Sequence, residues 1–115
     1  MKFRHIPHSV RESVYLKYGG HCAYCGCEIK PGGMKMDHFI NRQGNVYDIK
    51  PCCNSCYSLK ANESVEKFRS RIQQIPERIR RENPIYSVGE RYGVIGRKKE
   101  TIEFYFEKEE RNELS

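Results

Sequence analysis

Two pairs of cysteines, Cys22-Ala23-Tyr24-Cys25 and Cys53-Asn54-Ser55-Cys56, bracket an acid and an imidazole side by side at Asp37-His38. Thiolates spaced as Cys-x-x-Cys each set two ligands along one edge of a tetrahedron, and two such pairs are the usual way to hold a structural zinc ion. Four thiolates leave no open coordination position, so the expected role of Zn2+ at Cys22, Cys25, Cys53 and Cys56 is structural. The 27 residues between the pairs exceed a simple ribbon spacing, so something is inserted there. Cys27 and Cys52 lie beside the pairs but out of register. They read as small buried side chains, with a one-residue ambiguity between Cys52 and Cys53.

A metal also suits the composition. Of 115 residues only 37% are hydrophobic and 31% are charged, so apolar burial alone gives a thin margin of stability in one small domain. No run reaches the roughly eighteen apolar residues of a membrane span. Met1-Lys2-Phe3-Arg4-His5-Ile6-Pro7 lacks the apolar segment of a signal peptide. The expected location is therefore a reducing cytoplasm, where six cysteines serve as ligands or free thiols rather than disulfides. The net charge of +6 is uneven: from Glu100 onward six acids face two bases, which leaves +10 on residues 1–99. A basic body of that kind suits a polyanion such as DNA, although a solvated surface can carry the same charge.

The elements that must position these residues follow from pattern. After a basic arm over residues 1–8, Ser9 and Glu12 form a capping-box pair, and Val10, Val14 and Tyr18 make one helical stripe that Gly19-Gly20 ends. Pro31-Gly32-Gly33 is a turn, Met34 to Phe39 a strand, Arg42-Gln43-Gly44-Asn45 a turn, and Val46 to Ile49 a second strand ended by Pro51. Cys53 to Lys60 begins a helix. Val65, Phe68, Ile72 and Ile75 keep a 3.6-residue period after Asn62-Glu63-Ser64, interrupted by Pro76. A further piece spans Glu77 to Glu82. A short helix weakened by Gly89 starts at Pro84 and stops at Gly93. Thr101 to Lys108 alternates Ile102, Phe104 and Phe106 with Glu103, Tyr105 and Glu107, the pattern of a late half-buried strand. The expected class is α+β, a single domain over residues 1–108 with its core at about residues 21–62, followed by a frayed tail at 109–115.

The order of knuckle, Asp-His, turn, strand, knuckle and helix resembles the HNH endonuclease family and its ββα-metal fold. Further runs look like the small stand-alone HNH proteins of phages and bacteria: Lys17-Tyr18-Gly19-Gly20-His21-Cys22-Ala23-Tyr24-Cys25-Gly26, Glu66-Lys67-Phe68-Arg69, Arg91-Tyr92-Gly93 and Phe104-Tyr105-Phe106-Glu107. The resemblance spans nearly the whole chain and implies a metal-dependent DNA endonuclease, cutting or nicking, in a bacterial cell or phage-infected host. His38 would be the general base, for which an imidazole pKa near about 6.5 is suited. Asp37 would ligate a catalytic Mg2+ or Mn2+. Neighbours in a regular strand point to opposite faces, so joint use of Asp37 and His38 predicts an irregularity at residues 36–39.

Two positions depart from the family. Asp48 stands where an asparagine usually orients the base, and Tyr57 stands where an asparagine or histidine is the second ligand of the catalytic ion. A neutral phenol is a poor Mg2+ ligand. Asn41, Asn45, Asn54, Asn62 or Asp48 are the available substitutes, and the sequence selects none of them. The expected phosphate contacts are Lys60, Arg42 and Arg69, the last within a basic run with Arg71, Arg78, Arg80 and Arg81. His5 and His8 read as solvated or near phosphate, and His21 as packing beside a ligand. The alternative to an endonuclease is a catalytically impaired HNH-like zinc protein that binds DNA or a protein partner.

Overall fold

The structure, a computed structural model, describes residues 6–40, 42–96 and 101–114. His5 of the basic arm and Asn41 lie outside the described residues. Among the described residues the fold is mixed α+β, with six α-helices and one two-stranded antiparallel sheet. The residues group into two compact units, 1–61 with 103–115, and 62–102, where the sequence suggested one domain.

In the first unit, helix α1 spans His8–Lys17. It starts two residues earlier than the Ser9 cap would place it: Pro7 holds the cap position, and its carbonyl accepts the N–H groups of Val10 and Arg11. Proline suits the helix entrance because it has no N–H to leave unpaired. Arg11 donates to the Met34 carbonyl at 3.3 Å. Strands β1 (Lys35–Ile40) and β2 (Val46–Cys52) pair antiparallel, and helix α2 (Asn54–Lys60) follows at once. Pro51 does not end β2. It pairs with Met36 and its carbonyl accepts from Ala23 N–H at 2.9 Å, an arrangement open to proline where no ladder N–H is required.

The expected late strand is not formed. Residues 105–114 are helix α6 (Tyr105–Leu114), which also replaces the frayed tail expected at 109–115 as far as Leu114. Tyr105 and Phe106 donate their N–H groups to the Tyr24 and Ala23 carbonyls, while the Phe104 carbonyl accepts from Glu107 and Lys108. Glu107 Oε1 returns to the Phe104 N–H at 2.8 Å and closes the first turn. The alternation survives only as packing: Phe104 is buried, and its ring and that of Phe106 each meet Tyr24 edge-on.

The second unit is a run of three short helices, α3 (Val65–Gln73), α4 (Ile75–Glu82) and α5 (Pro84–Arg91). Ser64 caps α3 by accepting from Lys67 N–H, and Phe68 on the apolar stripe is fully buried. Pro76 sits in the first turn of α4, where its missing N–H costs nothing. Asn83 Oδ1 caps α5 through the Ile85 N–H. Gly89 has a packing reason for being in that helix, since an added Cβ would lie 2.6 Å from the Ile95 side chain.

Candidate metal centre and the adjoining Asp37–His38 bulge

The first knuckle turns because Gly26, at φ +81°, can take a left-handed conformation that bends the chain back: Gly26 N–H meets the Cys22 carbonyl, and Cys22 N–H meets that of Cys27. At the second knuckle Cys53 is the N-cap of α2, its Sγ accepting the Cys56 N–H, as Cys22 Sγ accepts that of Tyr24. These bonds orient the sulfurs and spread their charge. The four Sγ atoms of Cys22, Cys25, Cys53 and Cys56 all lie within 4.8 Å of one another. A zinc–sulfur bond of about 2.3 Å puts tetrahedral sulfurs about 3.8 Å apart, and Cys25 and Cys53 are separated by 3.8 Å. The donor set therefore fits a tetrahedral thiophilic ion, and all four are free thiols rather than disulfides.

The cage uses Cys53, which removes the ambiguity with Cys52. Cys52 is buried as expected, whereas Cys27 is exposed. Hydrogen bonds from Cys52 and Cys56 pull the Cys22 thiol far below its ordinary range, and the same contacts push Cys52 and Cys56 up. Without an ion one thiolate suppresses its neighbours. A dication lets the ligand sulfurs ionise together.

The irregularity expected at residues 36–39 is present. Pairing runs Asp37 with Lys50 and then Phe39 with Tyr47, so His38 on β1 faces two residues, Asp48 and Ile49, on β2. The extra residue of this bulge is on the partner strand, where Asp48 adopts φ +54°. Asparagine and aspartate tolerate that conformation better than most side chains. His38 is half-buried, and its Nδ1 lies 3.2 Å from the Met36 carbonyl. A carbonyl only accepts, so in the neutral ring Nδ1 carries the proton and the lone pair is on Nε2.

Asp37 is buried, 6% exposed, and both oxygens are engaged. Oδ2 accepts from the Tyr24 hydroxyl in a short hydrogen bond, and Oδ1 accepts from Lys60 Nζ at 3.1 Å. Burial, then the bond to Asp37, pushes the Tyr24 phenol well above its usual range, so it stays a donor. Lys60 is 1% exposed, and its ammonium also lies 5.0 Å from the Phe39 ring centre. This corrects the expectation that Lys60 meets phosphate. Arg69 is likewise committed, donating to both Glu66 oxygens and to the Ile102 carbonyl. Arg42 is exposed.

Asp48 Oδ1 accepts from Lys50 Nζ at 2.6 Å, and Lys50 is buried with its ammonium over the Phe106 ring. Tyr57 is 41% exposed and its ring lies 6.0 Å from Lys35 Nζ. As these side chains stand they do not fit a Mg2+ or Mn2+ ion at Asp37: its oxygens have other partners, and neither Asp48 nor Tyr57 completes an oxygen set. His21 stacks on Tyr105 with ring centres 5.4 Å apart, a packing role. Among the described residues no helix is long and apolar enough to cross a membrane.

Sequence reasoning missed Lys50 and the inward turn of Lys60. A lysine at a β2 position facing Asp37, and another at the end of α2, carry a faint signal, because a buried acid calls for a cation. Compared with protein-family models, with curated proteins and with solved structures, the chain matches none.

Proposed function

We propose that this chain is a small HNH-type DNA endonuclease, a ββα-metal core in which structural Zn2+ on Cys22, Cys25, Cys53 and Cys56 frames a hydrolytic centre at His38. The observation that carries the reading is the bulge. It sets His38 beside Asp37 within the loop closed by the cysteines, with Nδ1 held by the Met36 carbonyl and Nε2 left basic. In this reading His38 Nε2 takes a proton from the water that attacks phosphorus, and a new P–O bond forms as the bond to the leaving oxygen breaks. The bulge takes up the difference in strand length opposite His38, where Asp48 and Ile49 face one residue. The +10 charge on residues 1–99 and the exposed Arg42 suit a DNA partner.

The test is plasmid nicking by the zinc-loaded protein with Mg2+, with Mn2+ and with no added divalent ion. His38→Ala is expected to abolish nicking at unchanged zinc content. Equal nicking by that variant removes His38 from the role of base.

The second reading, an HNH-like zinc protein that binds DNA or a protein partner without cutting, is favoured by the Asp37–Lys60 pair and by the exposure of Tyr57. It expects DNA retention in a mobility-shift assay with no nicking under any of those conditions. A gain of nicking in Tyr57→Asn would identify the lost ligand as the cause.

A further inference from the structure

We propose that the Lys60 ammonium is the resident cation of this centre, standing where a divalent ion would be held, so that Asp37 is closed to Mg2+ and Mn2+. The inference deepens the nuclease reading and rests on its assignment of Asp37 as the cation position, but its test does not use cleavage.

The environment of Lys60 is that of a monovalent organic cation. Its Nζ meets Asp37 Oδ1 at 3.1 Å, lies 5.0 Å from the Phe39 ring centre and 6.0 Å from that of Tyr24. Ring faces attract an ammonium. They offer nothing to Mg2+, which takes oxygen ligands and keeps much of its water. The other Asp37 oxygen is held by the Tyr24 hydroxyl, and Tyr24 is 2% exposed. A buried carboxylate needs a compensating charge, and Lys60, itself 1% exposed, supplies one full positive charge.

The second acid of the hairpin, although exposed, also faces a lysine. Asp48 has its own buried lysine, Lys50, at 2.6 Å. Each carboxylate on the two strands is thus matched by an ammonium from the chain, and a dication added at Asp37 would have to displace Lys60 into an apolar surround. The geometry explains why Tyr57 can stand outside the centre: a site whose cation is a side chain does not need a second oxygen ligand.

The experiment is a Mn2+ titration of the zinc-loaded, full-length, 15N-labelled protein, read as paramagnetic loss of amide signals. The amides of Met36, Asp37, His38 and Lys60 are expected to keep their intensity at millimolar Mn2+, to the same degree as in Asp37→Asn. Selective loss of these signals in the wild type at micromolar Mn2+, absent in Asp37→Asn, overturns the proposal. The Lys60 ammonium is expected to give a slowly exchanging 15Nζ signal of its own. An ammonium that exchanges as fast as that of exposed Lys67 also overturns it. The ammonium readout uses the wild-type protein alone, so it does not depend on a variant that folds. Absence of Mn2+ at Asp37 together with absence of nicking supports the proposal while counting against the nuclease reading. Mn2+ bound at Asp37 in a chain that nicks DNA does the reverse.

Discussion

The unit containing the cysteine frame and the unit formed by residues 62–102 handle charge in opposite ways. In the first, Asp37 and Lys60 are both buried, and Lys50 is buried against Asp48. In the second, the pairs Arg78–Glu82, Lys67–Glu63 and Arg69–Glu66 run along helix surfaces at i,i+3 or i,i+4 spacing. Among its described residues the buried acid is Glu90, which is gripped by Nε and an Nη of the Arg80 guanidinium, whose side chain still reaches solvent. Surface pairs are worth little and can be exchanged freely. Buried pairs need a partner at one exact distance, which only a rigid surround can supply. The cysteine cluster and the hairpin lie in the unit where both members of such a pair, Asp37 and Lys60, are buried, whereas in the helical unit the cation of the Arg80–Glu90 pair reaches solvent.

Removal of the metal is the largest way to break this contrast. Structural zinc contributes binding free energy of about 10 kcal/mol or more that is also folding free energy. Cys53→Ser, or a strong chelator, is expected to abolish amide protection over residues 34–61, with the smaller loss in the α3–α5 helices, measured by hydrogen exchange. Cys52→Ala, which alters a buried neighbour outside the cage, is expected to keep one metal ion per chain by elemental analysis.

The buried pair comes next. Lys60→Ala leaves Asp37 without its cation and is expected to lower stability by about 3–5 kcal/mol in urea unfolding. Arg78→Ala, at an exposed pair, is expected to cost about 0.5 kcal/mol or less in the same assay. Similar losses at the two sites would erase the distinction between the units.

Tyr24 gives a finer probe with a definite sign. Its phenol is raised in the folded state, so protein stability from this group is fully present below the unfolded pKa of about 10 and is lost as pH rises beyond it. Wild-type stability is expected to fall more steeply than that of Tyr24→Phe between about pH 9 and 11, read from urea midpoints at constant zinc. Parallel curves would mean that the phenol is neither buried nor held by Asp37.

Legibility differed between the two units for the same reason. Helices α3 to α5 were readable from local signals: the Val65–Phe68–Ile72 stripe, the interruption at Pro76 and the helix start at Pro84, although Ile75, read into the same stripe, opens α4 instead. Each of those acts within a few residues of itself. In the first unit the strand pair and α2 were readable, but the late strand was not there to be read. Residues 102–107 alternate as a strand does, yet the Tyr24 and Ala23 carbonyls take the N–H groups of Tyr105 and Phe106, and Glu107 closes a helical turn instead.

By itself the sequence determined the cysteine frame, because Cys-x-x-Cys spacing fixes two ligands locally whatever lies between the pairs. It also determined that Asp37 and His38 would need an irregular strand to act together, since side chains alternate in a regular one. Only the tertiary structure decided that the extra residue is on β2 at Asp48, that Cys53 rather than Cys52 joins the cysteine cluster, and that Lys60 turns inward. A lysine at the end of a helix is normally a solvated charge. What buries this one is a carboxylate twenty-three positions earlier in the chain and two aromatic rings, and partners that distant are brought together by folding, not by local pattern.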